Sequence, residues 1–274
     1  MDELRKLLRE GKLSFQQNFI VAFELFKEML KNDNKEILIL LFINLIITFF
    51  SMTGNPSLIL LSRIMGPVVV IRLWMLYKKV IFKIEERQYV NDGLVIRAVI
   101  LFCFEVLFIF FMTIIFIHYI FTLPEGREIL LTLDYHPRIL FLLRVPIIIV
   151  GIIFFIGYIH ILYLLPVYLS RRGSFWESVK YNLYLLKGNR IRMLIPVILL
   201  FVIQMSMVQL LLKLGILGLF INVFIGTAIS VYKIIIVSII YLNVEYTSEI
   251  PEEFFYLTGK EEQNSDVIED KAEA

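Results

Sequence analysis

The sequence predicts an all-α membrane protein: a bundle of six membrane-spanning helices with two amphipathic helices at the membrane interface. Hydrophobic residues make up 59% of the 274 residues, and the chain contains 24 Phe, which is more apolar surface than a water-soluble fold can hide. Six apolar segments are long enough to cross a bilayer. The connections between these segments are alternately rich and poor in Lys and Arg. The net charge of +2 gives no basis for nucleic-acid binding.

The N-terminal segment, residues 1–36, is predicted to form an amphipathic interfacial helix rather than a signal peptide. Ser14 is suited to cap this helix, and Gln17 three residues later completes a capping box. Apolar residues then recur at helical spacing at Phe15, Phe19, Phe23, Phe26 and Leu30. A helix of this kind lies in the interface with its apolar face toward the acyl chains or the bundle.

Residues 37–246 are predicted to form the six-span domain, because a hydrocarbon core of about 30 Å needs about 20 apolar residues in a helix. The spans cover Ile37 to Met52, Leu58 to Leu76, Ala98 to Leu123, Ile139 to Leu169, Met193 to Leu212 and Ile216 to Leu242. The turn Gly54-Asn55-Pro56 ends the first span. Gly215 and Gly218 begin the last one, where they are expected to allow a tight hairpin and close helix contact.

Basic residues give the predicted orientation. They are frequent before span 1, between spans 2 and 3, and between spans 4 and 5, but scarce in the other three connections. Because Lys and Arg concentrate on the cytoplasmic side of membrane proteins, both termini are predicted to lie in the cytoplasm. We expect the membrane to be the inner membrane of a bacterium.

A second segment, residues 174–188, has the same pattern as the N-terminal one. Ser174 and Glu177 form another potential capping box, followed by apolar residues at Phe175, Val179, Leu183 and Leu186. Connections between membrane helices are often amphipathic, so the match has a simple alternative explanation. The shared cap, register and terminal Lys (Lys27 and Lys187) nevertheless favour an internal duplication, in which each half is an interfacial helix followed by a helical hairpin.

The run from Pro166 to Arg192 reads P-V-Y-L-S-R-R-G-S-F-W-E-S-V-K-Y-N-L-Y-L-L-K-G-N-R-I-R. It resembles a bacterial pattern in which a span ends, a polar turn follows and a Ser-capped helix leads through K-G-N into the next span. It is similar to the uncharacterised YciC-like inner-membrane proteins and to the membrane domain of some glycerophosphodiester phosphodiesterases. The resemblance implies a six-helix bundle. It carries over no catalytic residues, because no segment outside the spans is long enough for the diesterase's catalytic barrel.

Ionisable residues inside the spans are costly and mark candidate functional positions. Four of them are predicted to form a polar layer about 10–18 Å below the cytoplasmic face: Arg72, Glu105, His160 and Lys233. Glu105 is expected to pair with Arg72 or Lys233, which leaves positive charge unneutralised. Arg63 and Arg144 are secondary candidates in the outer half of the membrane.

Three interpretations of this layer stay open. In the first, the Arg side chains reach toward headgroups and the pair Glu105–Lys233 is structural. In the second, a polar cavity in the cytoplasmic half binds an anionic lipid headgroup or another anion. In the third, Glu105 and His160 form an ion-coupled transport path. An accessory or scaffold role is a further alternative, and membrane lipids are the expected partners alongside an unidentified membrane protein.

The sequence predicts neither an enzyme nor a cofactor, since it lacks Walker, Rossmann, G-x-S-x-G and H-E-x-x-H motifs. Asp134 and His136 have no third ligand at a suitable spacing, so no metal site is predicted. Cys103 is expected to be a lipid-facing or packing residue. Residues 247–274 are acidic and predicted to be a largely disordered cytoplasmic tail, although its aromatic residues Phe254, Phe255 and Tyr256 are positioned to dock on the bundle.

Overall fold

The computed structural model describes residues 2–87, 93–122, 157, 162–171 and 173–258. All regular secondary structure in these residues is helical. The chain divides into two compact units: the first comprises Met1–Ala98 and Tyr163–Ala274, and the second comprises Val99–Leu162.

The helices follow one another with short connections. They are α1 (Asp2–Glu10), α2 (Phe15–Asn32), α3 (Asn34–Met52), α4 (Pro56–Glu85), α5 (Leu94–Thr122), α6 (162–170), α7 (Phe175–Leu186), α8 (Arg190–Leu212), α9 (Gly215–Thr247), the 3₁₀ helix Glu252–Phe254 and α10 (Phe255–Thr258). Only the start of α5 belongs to the first unit.

The first hairpin, α3 and α4, turns where the sequence predicts. Gly54 adopts a φ of 68°, which favours Gly because a Cβ is strained there. The Asn55 side chain accepts a hydrogen bond from the Ser57 amide at 3.0 Å, and Pro56 occupies the first helical turn, where its missing N–H costs nothing.

Helix α4 continues past the predicted end of span 2 at Leu76 and ends at Glu85. Lys78, Lys79 and Lys83 therefore belong to the helix and not to a loop. The helix continues beyond the apolar run because a helix does not require apolar residues. Straight-chain residues such as Lys are also good helix formers. It stops at Glu86, which adopts a left-handed conformation with a φ of 54°.

The second hairpin, α8 and α9, turns at Gly215, whose φ is 62°. Gly218 confirms the expected close contact, since a Cβ there would lie 1.8 Å from the backbone oxygen of Leu211. Helix α9 runs to Thr247, past the predicted end of span 6 at Leu242.

Four helices of the described residues are long and apolar enough to cross a membrane: Asn34–Met52, Pro56–Glu85, Arg190–Leu211 and Gly215–Thr247. Their outer surfaces carry large apolar side chains such as Phe42, Leu60 and Ile64, each at least 60% exposed. Predicted span 3 falls on α5. Most of predicted span 4 lies outside the described residues, so the count of six spans stays a prediction.

Both predicted capping boxes are confirmed. The Ser14 hydroxyl accepts from the Gln17 amide at 3.2 Å, and the Ser14 amide donates to the Gln17 side chain at 2.8 Å. Ser174 and Glu177 make the same reciprocal pair at 3.3 and 2.7 Å. Both helices therefore begin at the predicted residue.

The buried faces of these two helices differ from the predicted apolar stripes. Helix α2 buries Asn18, Val21, Ala22, Leu25 and Met29, whereas Phe15, Phe23 and Leu30 are more than 40% exposed. Helix α7 buries Ser178, Tyr181, Asn182, Leu185 and Leu186, and Leu183 is half exposed. Some of the buried polar groups form hydrogen bonds within their own helix: the Ser178 hydroxyl donates to the Ser174 carbonyl at 2.9 Å, and the Asn18 amide nitrogen donates to the Ser14 carbonyl at 3.1 Å.

The N-terminal segment forms two helices and not the one expected. Asn243 of α9, which is fully buried, holds the junction between α1 and α2. Its amide nitrogen donates to the carbonyls of Leu8 at 2.7 Å and Gly11 at 2.9 Å, and its oxygen accepts from the Leu13 amide at 3.0 Å. These three hydrogen bonds hold the junction between α1 and α2 against α9.

Helix α9 is the centre of the first unit, because it packs against α1, α2, α3, α4 and α8. Near its middle, Thr227 accepts a hydrogen bond from Asn44 of α3 at 3.0 Å. Beyond its end, the chain returns to the bundle: Phe254 is buried, with its ring centroid 5.2 Å from that of Tyr181. Phe254 therefore docks as expected, whereas Tyr256 is 39% exposed.

The second unit contains most of α5. Cys103 is exposed on this helix, in agreement with a lipid-facing position. Gly157 lies against the ring of Phe108, where a Cβ would come within 2.8 Å of the Phe108 Cζ atom.

Candidate functional site

The polar groups of the first unit concentrate at one end of the two hairpins, which we call the charged end. It is the end opposite the turns at Gly54 and Gly215, where α3 and α8 begin and α4 and α9 finish. Two groups of charged residues lie there: a closed buried network around Arg171, and an open groove beside Glu36.

Arg171 follows α6 and its side chain is 1% exposed. Its guanidinium binds Glu85, the last residue of α4, through two parallel contacts of 2.9 and 2.7 Å. It also binds Glu245 near the end of α9, through Nε at 3.1 Å and through a second, shorter contact from Nη2. One cation thus joins the ends of two long helices by charge-assisted hydrogen bonds.

Tyrosine hydroxyls complete the network. Tyr181 and Tyr241 donate to the same oxygen of Glu245 at 2.8 and 2.7 Å, and Tyr246 donates to Glu85 at 3.1 Å. Burial alone would lower the pKa of the Arg171 guanidinium, but the carboxylates of Glu245 and Glu85 outweigh burial and hold that pKa above its ordinary value. The guanidinium therefore stays charged.

Arg97, in the first turn of α5, fixes the segment that carries Arg171. It donates to the carbonyls of Tyr168 at 3.0 Å and of Arg171 at 2.8 Å. These carbonyls lie at the end of α6, where the helix has no further N–H groups to donate to them and where a cation is favourable. With its polar atoms engaged inside the protein, the network serves packing and offers nothing to a ligand.

The second group is open. Glu36 lies in the first turn of α3 and bridges two cations of α4: its Oε2 is 3.3 Å from Arg72 Nη1, and its Oε1 is 2.7 Å from Lys79 Nζ. All three side chains are 31–41% exposed. They line a cavity of about 480 Å³ whose other walls are apolar, namely Val68, Ile71, Met75, Leu76 and Val95. We call this cavity the Glu36 groove.

A larger cavity of about 630 Å³ adjoins the groove and shares Glu36, Leu76 and Lys79 with it. We call it the outer cavity, because it lies beyond the start of α3. The α2–α3 connection and the last turns of α4 supply its other walls: Met29, Asn32, Asp33, Asn34, Lys35, Phe82, Lys83 and Arg87.

The groove has the chemistry of a phosphate site joined to an apolar surface. A guanidinium and an ammonium group supply several N–H donors to one small volume, which suits the oxygens of a phosphate. Glu36 contacts both cations. The apolar walls include Val68 of α4, which is 47% exposed, and Val95 in the first turn of α5, which is 48% exposed.

Of the predicted polar layer, Arg72, Glu105 and Lys233 lie among the described residues. Arg72 lies in the groove, but its carboxylate partner is Glu36 and it lies level with the first turn of α3, not midway along the hairpin. Lys233 of α9 and Glu105 of α5 each have interaction partners, and the pairing of Glu105 stays a prediction. Arg63 is exposed on α4.

Several predicted positions lie outside the described residues: Arg144, His160, Asp134 and His136. Within the part of the chain that the structure describes, no three His, Cys, Asp or Glu side chains come together as a metal site.

Sequence reasoning missed Glu36, Lys79 and the whole Arg171 network, because all of these residues look like ordinary flanking charges. One signal was available. The sequence separation that relates Ser14 to Ser174 also relates Gly66 to Gly226 and Glu85 to Glu245. The two glutamates that bind Arg171 therefore lie at the same sequence separation from the serine of the preceding capping box.

Comparisons of the chain with protein-family models, with curated proteins and with solved structures gave no match.

Proposed function

We propose that this protein is a non-enzymatic integral membrane protein that binds an anionic phospholipid in the Glu36 groove. One observation carries the proposal: Arg72 and Lys79 meet beside Glu36 in a cavity whose other walls are apolar. A phospholipid needs this combination, a cationic site for its phosphate beside an apolar surface for its acyl chains.

The depth of the groove supports a lipid ligand. Helix α3 has 19 residues and a length of about 28 Å, which matches a hydrocarbon core of about 30 Å. The first turn of α3, with Glu36, then lies at the edge of that core. Arg72 and Lys79 are held at the same level by Glu36, which is the level of lipid phosphates.

The charge of the groove fits one phosphodiester. Two cations and one carboxylate leave a net charge of +1, and a phosphodiester carries a single negative charge. A soluble phosphate would meet the same cations but gain nothing from the apolar walls at Ile71 and Met75. Burial of acyl chain against these walls therefore favours the lipid over a free anion.

The fold that we propose for this role is a duplicated six-span bundle with both termini in the cytoplasm of a bacterium. The matching capping boxes of α2 and α7 and the correspondence of Glu85 with Glu245 support the duplication. The concentration of Lys and Arg at the charged end supports its cytoplasmic placement. The Glu36 groove then faces the cytoplasmic leaflet, which is rich in anionic lipid.

The experiment compares lipid retention by purified variants. The wild type, the double variant Arg72→Gln/Lys79→Gln and the control Arg63→Gln are reconstituted in nanodiscs of mixed anionic and zwitterionic phospholipid, released into mild detergent, and examined by native mass spectrometry. Each basic residue contributes about 1 kcal/mol to anionic-lipid binding, so the double variant should bind about 30-fold more weakly. Arg63→Gln removes an exposed cation of the same helix outside the groove and should retain the lipid.

Two further measurements make the proposal falsifiable even where the double variant folds poorly. Glu36→Gln removes the competing carboxylate and should retain more anionic lipid than the wild type. Glycerol phosphate at millimolar concentration should not displace the lipid, whereas displacement would identify a soluble anion as the ligand. Equal retention of anionic and zwitterionic lipid by the wild type would refute the proposal. Proton- or ion-driven flux in liposomes that Glu105→Gln abolishes would instead identify a transporter.

A further inference from the structure

The outer cavity differs from the Glu36 groove in its charge balance. Lys83 Nζ lies 2.6 Å from Asp33 Oδ2 and 3.2 Å from Glu28 Oε1. Arg87 Nε lies 3.4 Å from Glu85 Oε2. Lys83 therefore contacts two carboxylates, whereas Arg72 and Lys79 both contact the single carboxylate of Glu36, so we expect the phosphate at Arg72 and Lys79 and not at Lys83.

Uncharged hydrogen-bonding groups are nevertheless present in the outer cavity. Asn32 ends α2 and Asn34 begins α3, and both side chains are exposed at the cavity wall. The structure gives their amides no partner among the described residues. An amide offers two donors and an acceptor, so the pair suits a ligand that carries several hydroxyl groups.

The Glu36 groove and the outer cavity adjoin each other. Their arrangement determines the orientation of a phospholipid bound in the groove. Its acyl chains follow the exposed apolar wall at Val68 and Val95, and its phosphate meets Arg72 and Lys79. Whatever the phosphate carries must then extend past Lys79 into the outer cavity. At about 630 Å³, that cavity has room for a polyol headgroup.

We infer that the ligand is a phospholipid whose phosphodiester carries an uncharged, hydroxyl-rich headgroup, such as glycerol, inositol or a sugar. This inference rests on the proposed function and names the class of lipid. An amine headgroup is disfavoured, because basic residues outnumber acidic ones in the outer cavity: Lys35, Lys79, Lys83 and Arg87 line it against Asp33 and Glu36. Phosphatidic acid fills the groove but leaves the two amides without a partner.

The test is a competition between lipids in nanodiscs, read by native mass spectrometry. Phosphatidylglycerol is compared with phosphatidic acid, which has no headgroup beyond its phosphate and carries at least as much negative charge. The wild type should prefer phosphatidylglycerol, although charge alone would favour phosphatidic acid. Each amide should contribute about fivefold, which corresponds to one hydrogen bond of about 1 kcal/mol.

The double variant Asn32→Ala/Asn34→Ala should lose this preference while binding phosphatidic acid as the wild type does. Gln16→Ala, which removes an exposed amide of α2 away from the cavity, should leave the preference unchanged. Binding of phosphatidic acid by the wild type as tightly as phosphatidylglycerol would overturn the headgroup assignment and leave the anionic-lipid proposal standing. If the double variant still preferred phosphatidylglycerol to phosphatidic acid, the headgroup assignment would also be overturned. Absence of binding to either lipid would refute both proposals.

Discussion

Arg171→Met is the substitution that tests the architecture of the charged end most severely. Met is unbranched and replaces the aliphatic part of the Arg side chain without introducing a new charge. The change removes the cation that joins Glu85 to Glu245, together with its contacts of 2.7–3.1 Å to these carboxylates and its bond to the Tyr241 hydroxyl at 3.0 Å. Both carboxylates stay where they were.

The expected cost follows from the burial of those carboxylates. The side chain of Glu85 is 7% exposed and that of Glu245 is 2% exposed. Removal of one partner from a buried ion pair typically destabilises a protein by about 3–5 kcal/mol, because the remaining charge is neither solvated nor neutralised. Tyr181 and Tyr246 still donate to the two glutamates, which keeps the cost within this range.

The measurement is unfolding by sodium dodecyl sulfate in mixed micelles, followed by the fluorescence of Trp74, which is 8% exposed. Arg190→Met, which removes an exposed basic residue at the start of α8, is the control and should unfold as the wild type does. The triple variant Arg171→Met/Glu85→Gln/Glu245→Gln should recover most of the lost stability, since it leaves no buried charge without a partner. A loss below about 1 kcal/mol for Arg171→Met, or a triple variant as unstable as the single one, would refute the reasoning.

Three further substitutions test other parts of the fold by the same assay. Gly218→Ala should destabilise the second hairpin, because the added Cβ would lie 1.8 Å from a backbone oxygen. Gly226→Ala is the control and should be tolerated, because a Cβ there would have no neighbour within 4 Å. Equal destabilisation by the two substitutions would contradict the described packing. Ser174→Ala should cost about 1 kcal/mol through loss of a cap. The backbone N–H and the side chain of Ser174 hold the pKa of Glu177 below its ordinary value of 4.5, so the ionised Glu177 stabilises the protein above pH 4.5 and loses this effect as the pH falls further. Stability of the wild type that does not fall in acid relative to Glu177→Gln would count against the capping box. Asn44→Leu should cost about 0.6 kcal/mol, the mean for a hydrogen bond between membrane helices, and no change at all would show that its contact with α9 is not formed.

The parts of the fold that could be predicted from the sequence depend on neighbouring residues. Ser14 and Ser174 each bind a partner three residues away, so the caps were visible in the sequence. The hairpin turn at Gly54 was visible for the same reason, since Asn55 and Pro56 supply the cap and the first turn of the next helix. The apolar spans followed from local hydropathy, which depends on consecutive residues alone.

The remaining features depend on residues that are far apart in the chain. Arg171 binds carboxylates from α4 and α9, and neither is distinguishable by sequence from a solvated residue at a helix end. Arg72 was among the predicted site residues, but its carboxylate partner was sought inside the spans. Glu36 is that partner because the α3–α4 hairpin places it beside Arg72, a register that hydropathy does not reveal. The extension of α4 to Glu85 was missed because its charged turns interrupt the apolar run without ending the helix.

The central claim, an anionic lipid in the Glu36 groove, is tested most directly by an experimental structure of the protein in nanodiscs that contain phosphatidylglycerol. We predict density for a phosphate within about 4 Å of the Arg72 guanidinium and the Lys79 ammonium group, with acyl chain density along Val68 and Val95. An empty groove, with Glu36 still bridging both cations and lipid distributed evenly around the bundle, would contradict the claim.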